Sequence, residues 1–440
     1  MARHFVSRRR VLQSSLAVPV VMGLPSPSRA TKPGPNDKIR IAAVGATNRG
    51  GANISEVAHE EITVLVDCDN AMLDKGSASY PNARKYQDWR EMFDKEEGKI
   101  DAVVVSTADH NHAPIAARAL RIGLPVYCEK PLTHTAKEAR VLAELAKAKN
   151  LATQMGTQIH AGDNYRRVVE LIKAGAIGPV REVHVWANAV YTGAKFNTNV
   201  PKPESLNWDV WLGPAMERPY SGDVHPFQWR KFWDYGSGTL GDFGCHFMDL
   251  VHWALDLRWP EYVAAEGPPV DAVSAPAWCK VKYQHAANGD RPAVTVHWYD
   301  SGKRPDMIAD IMKSSPKDQS GNAIGPEAGQ LFIGDKGMLL SNYGQRCLLP
   351  GDKFADYKAP EKSIPDSIGH HREWLHAIRT GDPTTCNFDY SGALTETVCL
   401  GTASYRSGQA FQWDSVNLKA IGADKAQQFI HKEYRKGWTL

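Results

Sequence analysis

The chain has 440 residues, 42% hydrophobic and 23% charged, a balance typical of soluble globular proteins with room for two or three sizeable cores. That excludes a single small module, a disordered chain and a fibre. No apolar run reaches the ~18 residues needed to cross a bilayer, and 52 basic against 49 acidic residues leave a net charge of +3.

The charge is unevenly placed. The first thirty residues hold Arg3, Arg8, Arg9, Arg10 and Arg29 and no acid, so the remainder carries 47 basic against 49 acidic residues, or −2. A slightly acidic body without a basic stripe argues against a nucleic-acid partner, because phosphate binding needs concentrated Lys and Arg. Within the basic segment, Ser7-Arg8-Arg9-Arg10-Val11-Leu12-Gln13 precedes a weakly apolar run, and Ser28-Arg29-Ala30 offers small residues for cleavage near Ala30. This order of zones resembles a twin-arginine export signal and implies a periplasmic protein without stable membrane insertion after export. Twin-arginine cargo crosses folded, so a cofactor bound in the cytoplasm can travel with it. The seven cysteines are scattered without a CxxC pair, which suggests neither a disulfide framework nor a zinc ribbon.

In chain order, residues 1–30 read as the signal and 31–37 as a polar linker. Ile39–Val44, Ile62–Val66, Ala102–Val105, Pro125–Cys128 and Ala152–Gly156 read as buried strands, with helical stretches such as Glu91–Lys99 and Ala136–Lys149 between them. Strands alternating with helices predict a parallel sheet with right-handed crossovers, a doubly wound Rossmann fold over residues 38–158. From Asn164 the texture changes. Tyr165–Ala174 reads as a helix, Arg181–Tyr191 as a half-exposed antiparallel strand, Val294–Tyr299 and Gln330–Ile333 as further strands, and Leu394–Arg406 as a late helix. Residues 159–440 are therefore expected to form an α+β domain with a large open, mainly antiparallel sheet, giving α/β overall.

The first chemical signal is Val44-Gly45-Ala46-Thr47-Asn48-Arg49-Gly50-Gly51, a turn between a strand and a helix. Such a turn brings backbone N–H groups and a helix N-terminus to a pyrophosphate, with glycine wherever a side chain would block the approach. Gly45 and Gly50 fit; Thr47 stands where the middle glycine is usual, and Asn48 and Arg49 complete the turn. Asp67 closes the second strand twenty-two residues after Gly45. There a carboxylate can accept from an adenosine ribose and repel a 2′-phosphate, which points to NAD rather than NADP.

Cys128-Glu129-Lys130-Pro131-Leu132 follows the fourth strand. With the glycine turn, Thr107-Ala108-Asp109-His110-Asn111-His112, and Gly238-Thr239-Leu240-Gly241-Asp242-Phe243-Gly244-Cys245-His246-Phe247-Met248-Asp249, it resembles the Gfo/Idh/MocA oxidoreductase family, which includes glucose–fructose oxidoreductase and inositol dehydrogenase. The resemblance extends from about Lys38 to the C-terminus. It implies a nicotinamide cofactor touched by Thr107, His112, Glu129 and Lys130, a sugar or polyol substrate, and a homodimer or homotetramer formed through the C-terminal sheets. Oxidising a carbinol needs a base for the hydroxyl proton and a donor to the developing alkoxide. If the chain is helical there, Asp242 and His246 share one face at i, i+4. The family pattern then makes His246 the base, Lys130 the group polarising the same oxygen, and Asp242 the residue orienting substrate or imidazole.

Many members carry an Arg-Arg pair after the strand closing the nucleotide domain; here Gly156-Thr157-Gln158-Ile159-His160 has none, so a neutral polyol is expected rather than an anion. Gln158 and His160 are candidates for contact with sugar hydroxyls. Flat rings stack on pyranose faces, and the aromatic stretch Trp208–Gly236 adds Trp229, Arg230 and Trp233, with Asp249 one turn beyond His246. Asp223/His225, His246, Asp249 and His252, and the pair His370-His371, lack a recognised ligand spacing, so no metal is expected. The expected activity is hydride transfer between a secondary carbinol of a sugar or glycoside and tightly held NAD. Two alternatives stay open: a redox-neutral glycosidase, lyase or epimerase working through a keto-sugar, and a catalytically silent sugar-binding protein.

Overall fold

The computed structural model describes Gly34 and residues 37–440; the arginine-rich segment and the cleavage expected near Ala30 lie outside the described residues. Six strands, β1 (Arg40–Val44), β2 (Glu61–Val66), β3 (Arg84–Tyr86), β4 (Ala102–Val105), β5 (Val126–Cys128) and β6 (Thr153–Met155), form one sheet. Its order is β3-β2-β1-β4-β5-β6, and every pairing is parallel. β1, β2 and β4 read as continuous apolar runs because helices cover both of their faces. The sequence reading missed β3, a three-residue edge strand of Arg84, Lys85 and Tyr86 that shows no apolar periodicity.

The helices between these strands are defined by their ends. Asp69 and Asp88 cap Asn70–Ser77 and Trp89–Glu96 by accepting from backbone N–H groups, and Thr135 forms a reciprocal capping box with Glu138 at the start of Ala136–Lys149. The glycine-turn helix Arg49–Glu56 instead begins without a side-chain cap, so its first N–H groups remain free to meet a ligand.

The remaining strands are β7 (Val180–Trp186), β8 (Tyr262–Glu266), β9 (Lys280–His285), β10 (Val294–Tyr299), β11 (Gly329–Gly334), β12 (Gly337–Ser341), β13 (Arg346–Leu349), β14 (Phe411–Asp414) and β15 (Lys419–Ile421). They form one open sheet in the order β13-β12-β11-β7-β10-β9-β8-β14-β15. All its named pairings are antiparallel except β7 with β10. β7 departs from the half-exposed antiparallel strand expected over Arg181–Tyr191: it is an interior strand, flanked by β10 and β11 and largely buried, and it ends at Trp186. Beyond it the backbone leaves the sheet, and Thr239 Oγ1 holds the Tyr191 N–H at 3.0 Å.

Period-two burial along β9 and β10 turns Val281, Tyr283, Val294, Val296 and Trp298 inward. There they share a core with helices Gly238–Ala254 and Phe388–Ser407. The chain's two halves also interlock. Helix His370–Thr380 returns to the first sheet, where Trp374, Leu375 and Ile378 pack among Ile39, Ile41, Ala43 and Tyr127. Among the described residues, no helix is long and apolar enough to cross a membrane.

A Cβ at position 50 would collide with the Gly45 carbonyl oxygen, whereas one at position 51 would sit 3.6 Å from the Ala46 carbonyl, an ordinary contact. Gly50→Ala should therefore cost about 1–3 kcal/mol, as overpacking does. Gly51→Ala should be neutral or slightly stabilising, since alanine is the better helix former. Thermal unfolding of the two variants against the parent checks the contrast.

Candidate active site

The C-terminal ends of β1, β2, β4 and β5 open on one edge of the first sheet, where open α/β sheets receive ligands. Gly45, at φ 98°, makes the turn after β1 and passes so close to the Ser106 carbonyl that any Cβ would clash with it. Thr47, Asn48 and Arg49 line the resulting cleft, together with Asp67, Gln87, Thr107, Trp211, His225 and Trp229. Gly50 shapes this turn by letting the helix settle against Gly45. Asp67 accepts from the Ala46 and Asp69 N–H groups at 3.0 and 3.1 Å. Burial nevertheless pushes its carboxyl above the usual value, against the pull of those two bonds.

A second compartment adjoins the cleft and is lined by Asp109, Glu129, Lys130, Tyr191, Asp242 and His246. Arg49, Ser106, Thr107, Phe227, Trp229 and Arg230 face both spaces, so they form the wall between them. Lys130 reaches the chamber from the turn after β5, and its peptide with Pro131 is cis. Its Nζ donates to Asp242 Oδ1 at 2.5 Å and to the Asp242 carbonyl at 2.9 Å. Arg230 Nε donates to the same Oδ1 at 3.1 Å. Burial alone would raise the Asp242 carboxyl, but these two cations outweigh it and hold the group far below the ordinary carboxylate range. Helix Gly238–Ala254 carries Asp242 and His246 one turn apart into the same chamber, as the i, i+4 spacing requires. Burial, reinforced by the nearby Lys130 charge, lowers the His246 imidazole to about 4, leaving it neutral and able to accept a proton at pH 7. Its Nδ1 is buried without a hydrogen-bond partner among the described residues.

Glu129 is the hub joining the turn to the chamber. It accepts from Arg49 Nε at 3.0 Å, Asn53 Nδ2 at 2.9 Å and Gln158 Nε2 at 2.8 Å. Burial opposes its charge, but Arg49, Lys130 and the two amides hold it below its usual value. Gln158 thus supports the site from beneath and also donates to the Tyr127 hydroxyl. His112 is wholly buried, its ring nitrogens 2.8 and 3.0 Å from the carbonyls of Pro131 and Thr107, so it ties the two loops together.

The other substrate candidates separate. Trp229 and Arg230 stand in the shared wall, the guanidinium 4.2 Å from the indole centroid. Trp233 lies in the core, where its Nε1 donates to the Asp271 carbonyl. His160 and Asp249 line neither compartment. Both are fully buried, joined at 2.9 Å, with the His160 ring stacked on Trp253 and Tyr390 donating to Asp249. With Cys386 their ligand atoms lie within 4.8 Å of one another. The other His/carboxylate sets disperse: His225 bonds Asp69, His370 the Met155 carbonyl, and His371 Asn53.

Two chamber residues escaped the sequence reading. Asp109 carries no signal of its own within the Thr107–His112 motif, and Tyr191 closes the strand expected over Arg181–Tyr191. Tyr191 comes from the irregular segment after β7, and burial together with Asp242 pushes its hydroxyl up to about 12. The uncapped turn and Asp67 suit the pyrophosphate and ribose of a dinucleotide, which when bound would supply a hydride acceptor to the adjoining chamber.

Comparison with known proteins agrees. Residues 39–157 match the NAD-binding Rossmann fold of the Gfo/Idh/MocA oxidoreductases, and residues 169–292 match that family's C-terminal alpha/beta domain. The chain belongs to the Gfo/Idh/MocA oxidoreductase family. Over 183 residues it is 28% identical to an inositol 2-dehydrogenase of Rubrobacter xylanophilus, covering 40% of this chain and 49% of that one. The curated relatives it matches are spanned only in part; for three of them the share is 37%, 28% and 57% of their length. The fold is shared with GenD2 from gentamicin A biosynthesis in complex with NAD, at TM-score 0.56 and 19% identity over 89% of this chain and 99% of that one. It is shared too with a levoglucosan dehydrogenase in complex with NADH and levoglucosan, at TM-score 0.54 and 16% identity over 86% and 99%.

Asp67→Ala should weaken NAD binding relative to NADP by at least about tenfold, because it removes a ribose acceptor and a charge that repels phosphate. Parallel titrations of both nucleotides measure the ratio. Replacing His246 by Gln should lower turnover by ~10²–10⁴-fold, as loss of a general base does, while NAD affinity stays within a factor of a few. In the parent, the acid limb of kcat/KM should fall near pH 4, where the imidazole takes up its proton.

Proposed function

We propose that this protein is an exported NAD-dependent oxidoreductase of a neutral sugar, polyol or glycoside. The observation that carries the reading is the single chamber holding Lys130, Asp242 and His246 beside the nucleotide cleft. The bound nicotinamide supplies the hydride acceptor. Lys130, held by Asp242, donates to the substrate oxygen, and neutral His246 removes its proton. Arg230 and Trp229 bound the side of the chamber facing the cleft, offering a ring face and a guanidinium to a pyranose. Dehydrogenases of inositol and levoglucosan among the relatives support a polyhydroxylated substrate.

The arginine-rich leader supports export by the twin-arginine route, with cleavage near Ala30. Because the periplasm holds no nicotinamide pool, NAD would be loaded before export and kept. A retained cofactor must be regenerated in place, by a second sugar or by return of the hydride within one cycle; the latter is the redox-neutral reading. Association through the open sheet into a homodimer or homotetramer completes the proposal, and light scattering would give its mass.

The protein, expressed with its leader and purified from the periplasm without added nucleotide, should release about one equivalent of NAD on acid treatment, read by mass spectrometry. Addition of glucose, myo-inositol or levoglucosan in excess should raise the reduced-nicotinamide absorbance in a single turnover. If no nucleotide is bound and none binds on titration, the silent sugar-binding reading takes its place.

A further inference from the structure

Hydride transfer to and from a carbinol uses one proton acceptor and one cation, and the chamber contains more than that. Asp109 opens helix Asp109–Arg121, is 3% exposed, and lines the same chamber as Lys130, Asp242 and His246. Its setting differs from that of the other acids at the site. Asp242 is bonded by Lys130 and Arg230, and Glu129 by Arg49, Asn53 and Gln158. Among the described residues no donor is bonded to the Asp109 carboxyl. A buried carboxylate without donors is costly, whereas the neutral acid keeps an O–H to give.

We infer that Asp109 is a proton-donating catalytic residue of the inner chamber, acting on a glycosidic oxygen and working as an acid opposite the base His246. The inference rests on the hydride-transfer reading above and deepens it to the redox-neutral class. Burial raises the carboxyl to about 8, with Asp242 adding to the rise, while Arg230, Lys130 and Lys432 oppose it. The helix start favours the charged form as well, and burial prevails. His246, facing Lys130, Asp242, Glu129 and Arg49, is displaced the other way, to about 4. Paired groups whose surroundings separate their proton affinities in this manner divide into acid and base.

The carbinol loses a hydride to the nicotinamide and its hydroxyl proton to His246, which passes that proton to solvent. The ketone acidifies the adjacent C–H, and His246 takes that proton. A C=C bond forms, the C–O bond on the next carbon breaks, and the departing oxygen receives the Asp109 proton. Water then adds to the same carbon, returning a proton to the Asp109 carboxylate, while His246 returns one to the α carbon. The two electrons taken up as hydride go back to the carbonyl carbon with a proton from solvent. The sum is glycoside plus water giving sugar plus alcohol, with the cofactor unchanged.

Asp109→Asn keeps the shape and removes the transferable proton, and the NAD-loaded protein serves for the test. Difference infrared spectra of parent against variant should show a protonated carboxyl at pH 6.5 that disappears above pH 8; a carboxyl already ionised at pH 6 overturns the proposal without any substrate. With methyl and 4-nitrophenyl β-D-glucosides, nicotinamide reduction and alcohol release are followed together in parent and variant, and alcohol released per nicotinamide reduced is the quantity compared. Alcohol release from the methyl glucoside should fall by 100-fold or more, and 4-nitrophenol release far less, because that leaving group needs little protonation. Equal losses on both glucosides, or a parent that accumulates keto-sugar and releases no alcohol, overturn the acid role and leave the dehydrogenase intact. A variant that loses NAD makes Asp109 a cofactor ligand and equally overturns it. A parent that reduces no nicotinamide with either glucoside, nor with glucose, myo-inositol or levoglucosan, overturns the hydride-transfer reading, and this one with it.

Discussion

The site is organised around one buried carboxylate. Asp242 would be expelled to water or neutralised if it stood alone at 7% exposure, and it stays charged because Lys130 and Arg230 share its Oδ1. Those cations come from different parts of the chain, one from the turn after β5 and the other from the aromatic segment that walls the cleft. The ion cluster therefore fixes the first sheet, the second domain's central helix and the partition relative to one another. Removing Asp242 would leave two largely buried cations facing each other without their shared counter-charge, which costs more than the contacts themselves.

The same economy extends outward. Glu129 draws Arg49 from the glycine turn, Asn53 from the first helix and Gln158 from the end of the nucleotide domain into one hydrogen-bonded knot. His112 ties the Thr107 loop to the Pro131 carbonyl. Neither needs to touch substrate to matter. Such residues hold the reacting groups within the narrow tolerance that proton and hydride transfer demand.

Much of this was legible in the residues. The apolar strands, the glycine turn, the acid closing β2 and the i, i+4 pair Asp242 and His246 each carry a local signal, period or spacing that survives folding. What stayed hidden depends on distant partners. β3 has no periodicity because it is a charged edge strand, and β7 is interior because β10 and β11 happen to flank it. Trp233 and Trp229 are four residues apart and chemically alike, yet one enters the core and the other the partition; no local rule separates them. The importance of Asp109 comes from donors that are missing around it, and a sequence cannot display a missing neighbour.

Helix His370–Thr380 completes a face of the first sheet, with Trp374, Leu375 and Ile378 filling the core that Ile39, Ile41 and Ala43 begin. During synthesis the nucleotide-binding half therefore cannot finish its own core when it leaves the ribosome, in contrast to the usual order in which an N-terminal domain folds first. Its apolar face waits for Ile378. A nucleotide-binding half that ended before residue 370 would leave part of this core without its cover, so the fold's first domain in sequence is not a self-sufficient unit.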